Sequence, residues 1–211
     1  YKSQFSPSGN ILMMGDKFLC EISREDGRLI RTYESGGYVT DFGIAGNQLL
    51  VFADDTIHYY SAKTGDPLPE ETVFTEHLQM ESGENTEEVV SSRVFTGMGE
   101  QGILYVSKKG IYVYNLGGSV VEQLLSEGYL TGISSKTELM DVETDADGNI
   151  YLAVSDRYSD NPTGMLLKYG YDKEQEAVPG TELDIYMLKR DTHMEQMISL
   201  FQKEYPDISV T

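Results

Sequence analysis

Along the first 170 residues, short runs of apolar and aromatic β-formers alternate with turns marked by Gly, Asn and Asp, a pattern that predicts successive strands rather than helices. Thr40 to Gly65 gives it in full: a strand through Phe42, a Gly46-Asn47 turn, a strand through Phe52, an acidic turn at Asp54-Asp55, and a third strand running to Thr64-Gly65. The same order recurs upstream, where Gly9-Asn10 opens Ile11 to Met14, Gly15-Asp16 turns into Phe18 to Ser23, and Asp26-Gly27 closes the unit. Downstream, Gly102 to Val106 turns at Lys108-Lys109-Gly110 into Ile111 to Asn115. A fourth copy runs from Asp147-Gly148-Asn149 through Ile150 to Val154, then by a longer turn through Asn161-Pro162-Thr163-Gly164 to Met165 to Tyr169. Each copy carries a more polar fourth segment such as Arg28 to Tyr33 or Ser119 to Leu125, so the repeat reads as a four-stranded unit with a period of about 38 residues, as from Gly27 to Gly65.

A four-stranded antiparallel unit cannot bury both faces alone, whereas units set radially bury them against their neighbours, as the blades of a β-propeller do. The expected fold is therefore mainly β, with about four blades; a sandwich of plain hairpins is the competing arrangement. Glu70, Glu71, Glu76, Glu81, Glu84, Glu87 and Glu88 break the period between the second and third copies and read as a solvated acidic loop. In its Asp147-Gly148-Asn149-Ile150-Tyr151 opening and its Tyr60 to Gly65 close, the chain resembles the propeller group that includes pyrroloquinoline-quinone-type and gluconolactonase-like repeat proteins. These motifs identify blades, not activities. Only Tyr1 to Phe5 is available for the first innermost strand, so the first copy is read as starting mid-blade and the four as part of a larger ring continuing upstream.

Beyond Pro179-Gly180 the period changes. Glu182 to Leu188 alternates like a strand, and Met194, Met197, Ile198 and Phe201 fall on one face of a helix. Thr192 and Glu195 form a capping box, Pro206 stops the helix, and Ile208 to Thr211 starts another strand. This β-α-β order, and above all Phe201-Gln202-Lys203-Glu204-Tyr205-Pro206-Asp207, resembles the opening unit of an extracellular solute-binding protein, the receptor component of bacterial ABC importers. Two parts follow: residues 1–180, a partial propeller, and residues 181–211, the truncated start of a solute-binding domain. The competing reading makes Leu183 to Thr211 a helix and strand that close the propeller. The resemblance implies an exported, surface-anchored bacterial lipoprotein with its lipid anchor upstream of Tyr1, and an ABC permease as partner of the parent protein.

Charge narrows the partners. Across 211 residues, 16 Lys and Arg stand against 35 Asp and Glu, a formal charge of −19. Nucleic acids and anionic membranes need clustered basic charge, which is lacking here. No 18-residue apolar span suggests membrane insertion within this segment. Cys20, alone between Leu19 and Glu21, offers neither disulfide nor metal spacing and reads as a small core residue.

Candidate chemistry is sparse. Glu143, Asp145, Asp147 and Gly148 mimic the first half of a calcium loop, but the twelfth position, which must supply a bidentate acid, is Val154; an Asp-Gly turn explains them. His58, His77 and His193 form no ligand spacing, and no Gly-x-Ser-x-Gly occurs. Among expected innermost-strand positions, Asp41 and Asp141 match between copies. Tyr59, Tyr60, Tyr105, Tyr112, Tyr114, Tyr151 and Tyr169 lie on strands, as core packing or as a contact face for a carbohydrate or protein. No catalytic, cofactor or metal residue is assigned, and binding residues are left open. The expectation is a non-enzymatic binding module offering its loops to a carbohydrate or protein. The alternatives are a propeller lactonase or hydrolase with a central metal, and a structural protein that self-associates through open blade edges.

Overall fold

The structure, a computed structural model, describes residues 2–54, 56–82, 93–126, 133, 137–155, 163–170 and 181–186, with 194, 197, 198, 200, 201, 204, 205 and 208–210. It is mainly β, with four antiparallel sheets in chain order. Sheet 1 holds β1 (Ser3–Phe5), β2 (Ile11–Met14), β3 (Phe18–Ile22) and β4 (Leu29–Glu34) in that order. Sheet 2 holds β5 (Val39–Ala45), β6 (Gln48–Ala53) and β7 (Thr56–Ser61). Sheet 3 holds β8 (Val94–Met98), β9 (Gly102–Ser107), β10 (Gly110–Asn115) and β11 (Val121–Ser126), and sheet 4 holds β12 (Glu138–Thr144), β13 (Ile150–Ser155) and β14 (Gly164–Tyr169). Between sheets 2 and 3 in the chain stands one helix, α1 (Thr72–Ser82). Contacts divide the chain into two compact units, Tyr1–Tyr105 with Val113–Glu122, and Val106–Tyr112 with Gln123–Thr211.

In the first unit, sheets 1 and 2 pack face to face. Residues directly opposite on paired strands share a face. The forward face of sheet 1 carries Leu12, Leu19 and Tyr33, and the rear face of sheet 2 carries Phe42, Leu49 and Val51; together they form one buried cluster. Tyr33 and Tyr60 meet edge-on, with ring centroids 5.2 Å apart. The forward face of sheet 2 offers Leu50, Phe52 and Tyr59, and Phe52 stacks on Phe95 of β8. β5 and β8 run so close that a Cβ on Gly97 would lie 1.9 Å from the Ile44 carbonyl oxygen, so position 97 admits only glycine.

One expectation changes here. The acidic stretch is not a solvated loop: residues 72–82 are helical, and α1 buries Phe74 and Leu78, spaced i and i+4 on one face. Phe74 meets Phe95, Tyr105 and Tyr114, so burial of an aromatic surface outweighs the charge around it. Glu84, Glu87 and Glu88 lie outside the described residues. The first strand of sheet 1, β1, has three residues, against seven in β5 and β12. The four-stranded unit is complete in sheets 1 and 3. In sheet 2, the segment after Gly65 makes a single bridge, Pro67 to Tyr60, before α1 begins. Sheet 4 has three strands among the described residues.

In the second unit, Val142, Leu152 and Val154 of sheet 4 are buried. β15 (Thr181–Leu183) pairs parallel with β16 (Ile208–Val210), and the described residues at 194, 197, 198, 200, 201 and 204 are helical. A parallel pair requires a crossover between its strands, and these helical residues lie in it. Met197, placed on the apolar helix face, is exposed. Thr192, His193, Glu195, Pro206, Asn161, Pro162, Pro179 and Gly180 lie outside the described residues.

Candidate functional site

Strand register sets the charged positions of the first strands in common. Aligning Gly9-Asn10 with Gly148-Asn149 lays the Ser3–Met13 pair on Val142–Leu152, and so Lys2 on Asp141. In β5 and β12 the register shifts just before Asp41 and Asp141, and each aspartate accepts a hydrogen bond from the next backbone amide, Phe42 or Val142. The match between Asp41 and Asp141 is thus structural, and Lys2, which the sequence pattern did not single out, stands at the same position. Lys2 Nζ lies 3.0 Å from Asp41 Oδ1 and donates to the Phe95 carbonyl at 2.7 Å, while Asp41 Oδ2 accepts from the Phe95 amide at 2.8 Å. Burial pushes the Asp41 carboxyl up to about 6, against the pull of Lys2 and the two amides. Asp41 therefore ties first strands together.

A second buried carboxylate lies on the forward face of sheet 1. Glu21 pairs with Arg31 Nε at 3.0 Å and accepts from Ser6 Oγ and Asn10 Nδ2 at 2.9 Å each and from the Tyr33 hydroxyl. Burial first, and then the charge of Glu21, pushes the Tyr33 hydroxyl up to about 12. Every contact of Glu21 serves the sheet and the Ser6–Asn10 turn, so it is a structural hub. A lone Glu between apolar neighbours gave no hint of it.

The remaining predicted positions are brought together less. Asp145 Oδ1 accepts the amides of Asp147 and Asn149, and Oδ2 accepts Asn149 Nδ2 and the Tyr151 hydroxyl. These bonds, with Asn149 foremost, hold its carboxyl below the usual range, and Gly148 sits at φ +81°. The arrangement is a tight turn whose acid is spent on two backbone amides and on the side chains of Asn149 and Tyr151. His58 is half-buried on β7, and His77 is half-buried on α1, its basicity lowered by burial and by Arg93. Among the described residues, no three His, Cys, Asp or Glu side chains converge. Cys20 is a buried free thiol, as its apolar setting predicts.

What sequence reasoning missed is a cleft of about 400 Å³ at the turn ends of the first unit, lined in part by Asn47, Gln48, Glu71, Glu100, Gln101 and Leu116. The two-residue turn Gly46-Asn47 forms one wall. Gly46, at φ +57°, lets the Glu100 carbonyl approach to 2.3 Å of where a Cβ would be. Leu116 donates its amide to the Gln101 carbonyl, which holds the loop after β10 against the turn before β9. Glu71, at the start of α1, accepts from the Tyr114 hydroxyl at 2.7 Å and the Gly117 amide at 3.0 Å. Burial and then Glu71 push that hydroxyl up to about 12. Gln48 Oε1 is buried without a hydrogen-bond partner. Among the described residues, the lining is thus three carboxamides, two carboxylates and apolar patches from Leu68 and Leu116, with no serine, cysteine or histidine. The cleft residues lie up to 72 positions apart in the chain, from Ala45 to Gly117, and each is unremarkable alone.

No family model matches the chain, and no curated protein matches it. Among solved structures, it is similar to the extracellular domain of BT4673 of B. thetaiotaomicron, described as a hybrid two-component system, at 14% identity and a TM-score of 0.46 over 73% of this chain; the chain spans 19% of that structure. It is also similar to KlAtg21 in complex with the coiled coil of AgAtg16, at 12% identity and a TM-score of 0.43 over 74% of this chain and 51% of that one. KlHsv2 with its loop 6CD replaced by a Gly-Ser linker aligns at 12% identity and a TM-score of 0.39, over 69% of this chain and 44% of that one.

Proposed function

We propose that the chain is a non-enzymatic binding module of an exported bacterial receptor protein. Its sheets are the blades of a β-propeller over residues 1–180, and residues 181–211 open a solute-binding domain whose parent protein serves an ABC importer. Face-to-face packing of sheets 1 and 2, with the repeated register of the first strands, supports the blade reading. The parallel pairing of β15 and β16 around helical residues supports the β-α-β reading. The ligand of the propeller part is a neutral oligosaccharide, held in the cleft between Gly46-Asn47 and Glu100-Gln101.

The observation that carries the ligand assignment is the donor and acceptor set of that cleft. Sugar hydroxyls both give and accept hydrogen bonds, carboxamides match both roles, and Gln48 Oε1 is an acceptor whose partner a ligand hydroxyl would supply. Glu71 is committed to Tyr114 and Gly117, which leaves it a strut rather than an acid catalyst. Binding of a panel of neutral oligosaccharides, followed by calorimetry on the purified chain and on Gln48→Leu and Gln101→Leu, tests this. The expected result is binding of at least one glycan, weakened about tenfold or more by each substitution, as loss of one buried hydrogen bond implies, with the glycan recovered intact. Binding by none, or equal binding by the variants, contradicts it; glycan cleavage, or equimolar calcium or zinc in the dialysed protein, favours the enzyme alternative.

A further inference from the structure

The cleft lies wholly within the first unit, and strand register places its buried acceptor. In sheet 2, Gln48 pairs across with Ala45 of β5 and Ser61 of β7, so it stands on the forward face, one step beyond the buried pair of Leu50 and Tyr59. Cross-strand partners hold their Cβ atoms about 4.5–5.5 Å apart, so the buried Ala45 methyl lies beside the Gln48 side chain. Leu68, which lines the same cleft, is fixed alongside β7 by its amide, a donor to the Tyr59 carbonyl. Among the described residues, Gln48 Oε1 is buried and has no hydrogen-bond partner. One buried acceptor is therefore set against an apolar wall, with the carboxamides of Asn47 and Gln101 in the same lining.

A sugar hydroxyl satisfies such an acceptor, but its oxygen then turns unpaired lone pairs toward the apolar wall, which costs free energy. A secondary amide avoids that cost. It is planar and trans, so its N–H and the methyl on its carbonyl carbon point to one side while the carbonyl oxygen points to the other. An acetamido group thus gives its N–H to Gln48 Oε1, sets its methyl against Ala45 and Leu68, and turns its oxygen toward the carboxamide donors. Charge points the same way: Glu71 and Glu100 line the cleft and the chain carries −19, which opposes acidic or sulfated sugars, whereas an acetamido group is neutral.

We propose that the cleft takes an oligosaccharide of 2-acetamido sugars, and that Gln48 is the residue that selects the acetamido group. The inference rests on the glycan reading of the cleft and narrows it to one substituent.

Calorimetry on the full 211-residue chain with two β-1,4-linked tetramers, one of N-acetylglucosamine and one of glucose, isolates that substituent, because the two ligands differ only at C2. The expected result is binding of the acetylated tetramer about tenfold or more tighter, the discrimination that a small apolar group gives in a fitted pocket. Gln48→Leu keeps a side chain of similar size and removes the acceptor, so the preference is expected to shrink about threefold or more, the share of one hydrogen bond; thermal melts check that the variant folds. Equal binding of the two tetramers, or preference for the glucose tetramer, overturns the inference and leaves the glycan reading in place. A preference that Gln48→Leu leaves unchanged does the same. Binding of neither tetramer also overturns the inference, and the neutral panel then decides the broader reading: a ligand found there keeps it, and none removes both.

Discussion

The Lys2 ammonium lies 3.0 Å from the Asp41 carboxylate, and the two residues hold the same position in successive repeats. The repeat has used one strand site for opposite charges, so that adjacent first strands neutralise each other. Asp41 also accepts hydrogen bonds from the Phe42 and Phe95 amides.

Asp41→Ala strands those two amides and leaves Lys2 without its carboxylate. Loss of about 2–5 kcal/mol in urea unfolding is expected, the cost of two buried unsatisfied donors. A change under about 0.5 kcal/mol, the range of ordinary surface substitutions, would show that Asp41 is not the tie described.

The pH dependence has a definite sign. The Asp41 carboxyl is raised from 3.8 to about 6 on folding, so its contribution is fully present below pH 3.8 and is lost as pH rises through about 6. Asp41→Asn cannot ionise and keeps an acceptor oxygen. The stability of the wild type relative to Asp41→Asn is therefore expected to fall, by about 1–3 kcal/mol, between about pH 4 and 7 in paired denaturation curves. A relative gain over that window would contradict the dominance of burial at this site.

Helix α1 is part of the core of the first unit. Phe74→Ala is expected to cost about 3–5 kcal/mol, and Met80→Ala, at a position 70% exposed, less than about 0.5 kcal/mol. Equal, small effects at both positions would restore the solvated loop that the charge pattern predicts.

Gly46 and Gly148 both sit at positive φ, but only Gly46 is also pressed by a neighbour. Gly148→Ala meets nothing within 4 Å, and about 1 kcal/mol of backbone strain is expected. Gly46→Ala adds a clash with the Glu100 carbonyl and should cost about 2–4 kcal/mol, with weaker ligand binding as Glu100 and Gln101 are displaced. Thermal melts and titrations of the two variants side by side measure the difference.

The strands were legible because their signals are local: Gly46-Asn47 and Gly148-Asn149 turn the chain, and the runs between them alternate. The match of Asp41 with Asp141 was legible for the same reason. Helix α1 was not, because seven glutamates obscured the Phe74 and Leu78 spacing that decides its fate. Neither Lys2 nor the Glu21 hub carries a sequence signal, since each is defined by partners on other strands. The cleft was out of reach because Gln48, Glu71 and Gln101 meet only once the sheets have packed.

The central claim is that sheets 1 and 2 pack face to face, with Val51 buried between them and Met13 on the opposite face of sheet 1. Thiol labelling of Met13→Cys and Val51→Cys, each in a Cys20→Ser background and at high dilution, reads this directly. The account predicts that Cys at position 13 reacts at the rate of a free thiol, while Cys at position 51 reacts about a hundredfold or more slowly, limited by opening of the packed sheets. Equal rates at the two positions would contradict it.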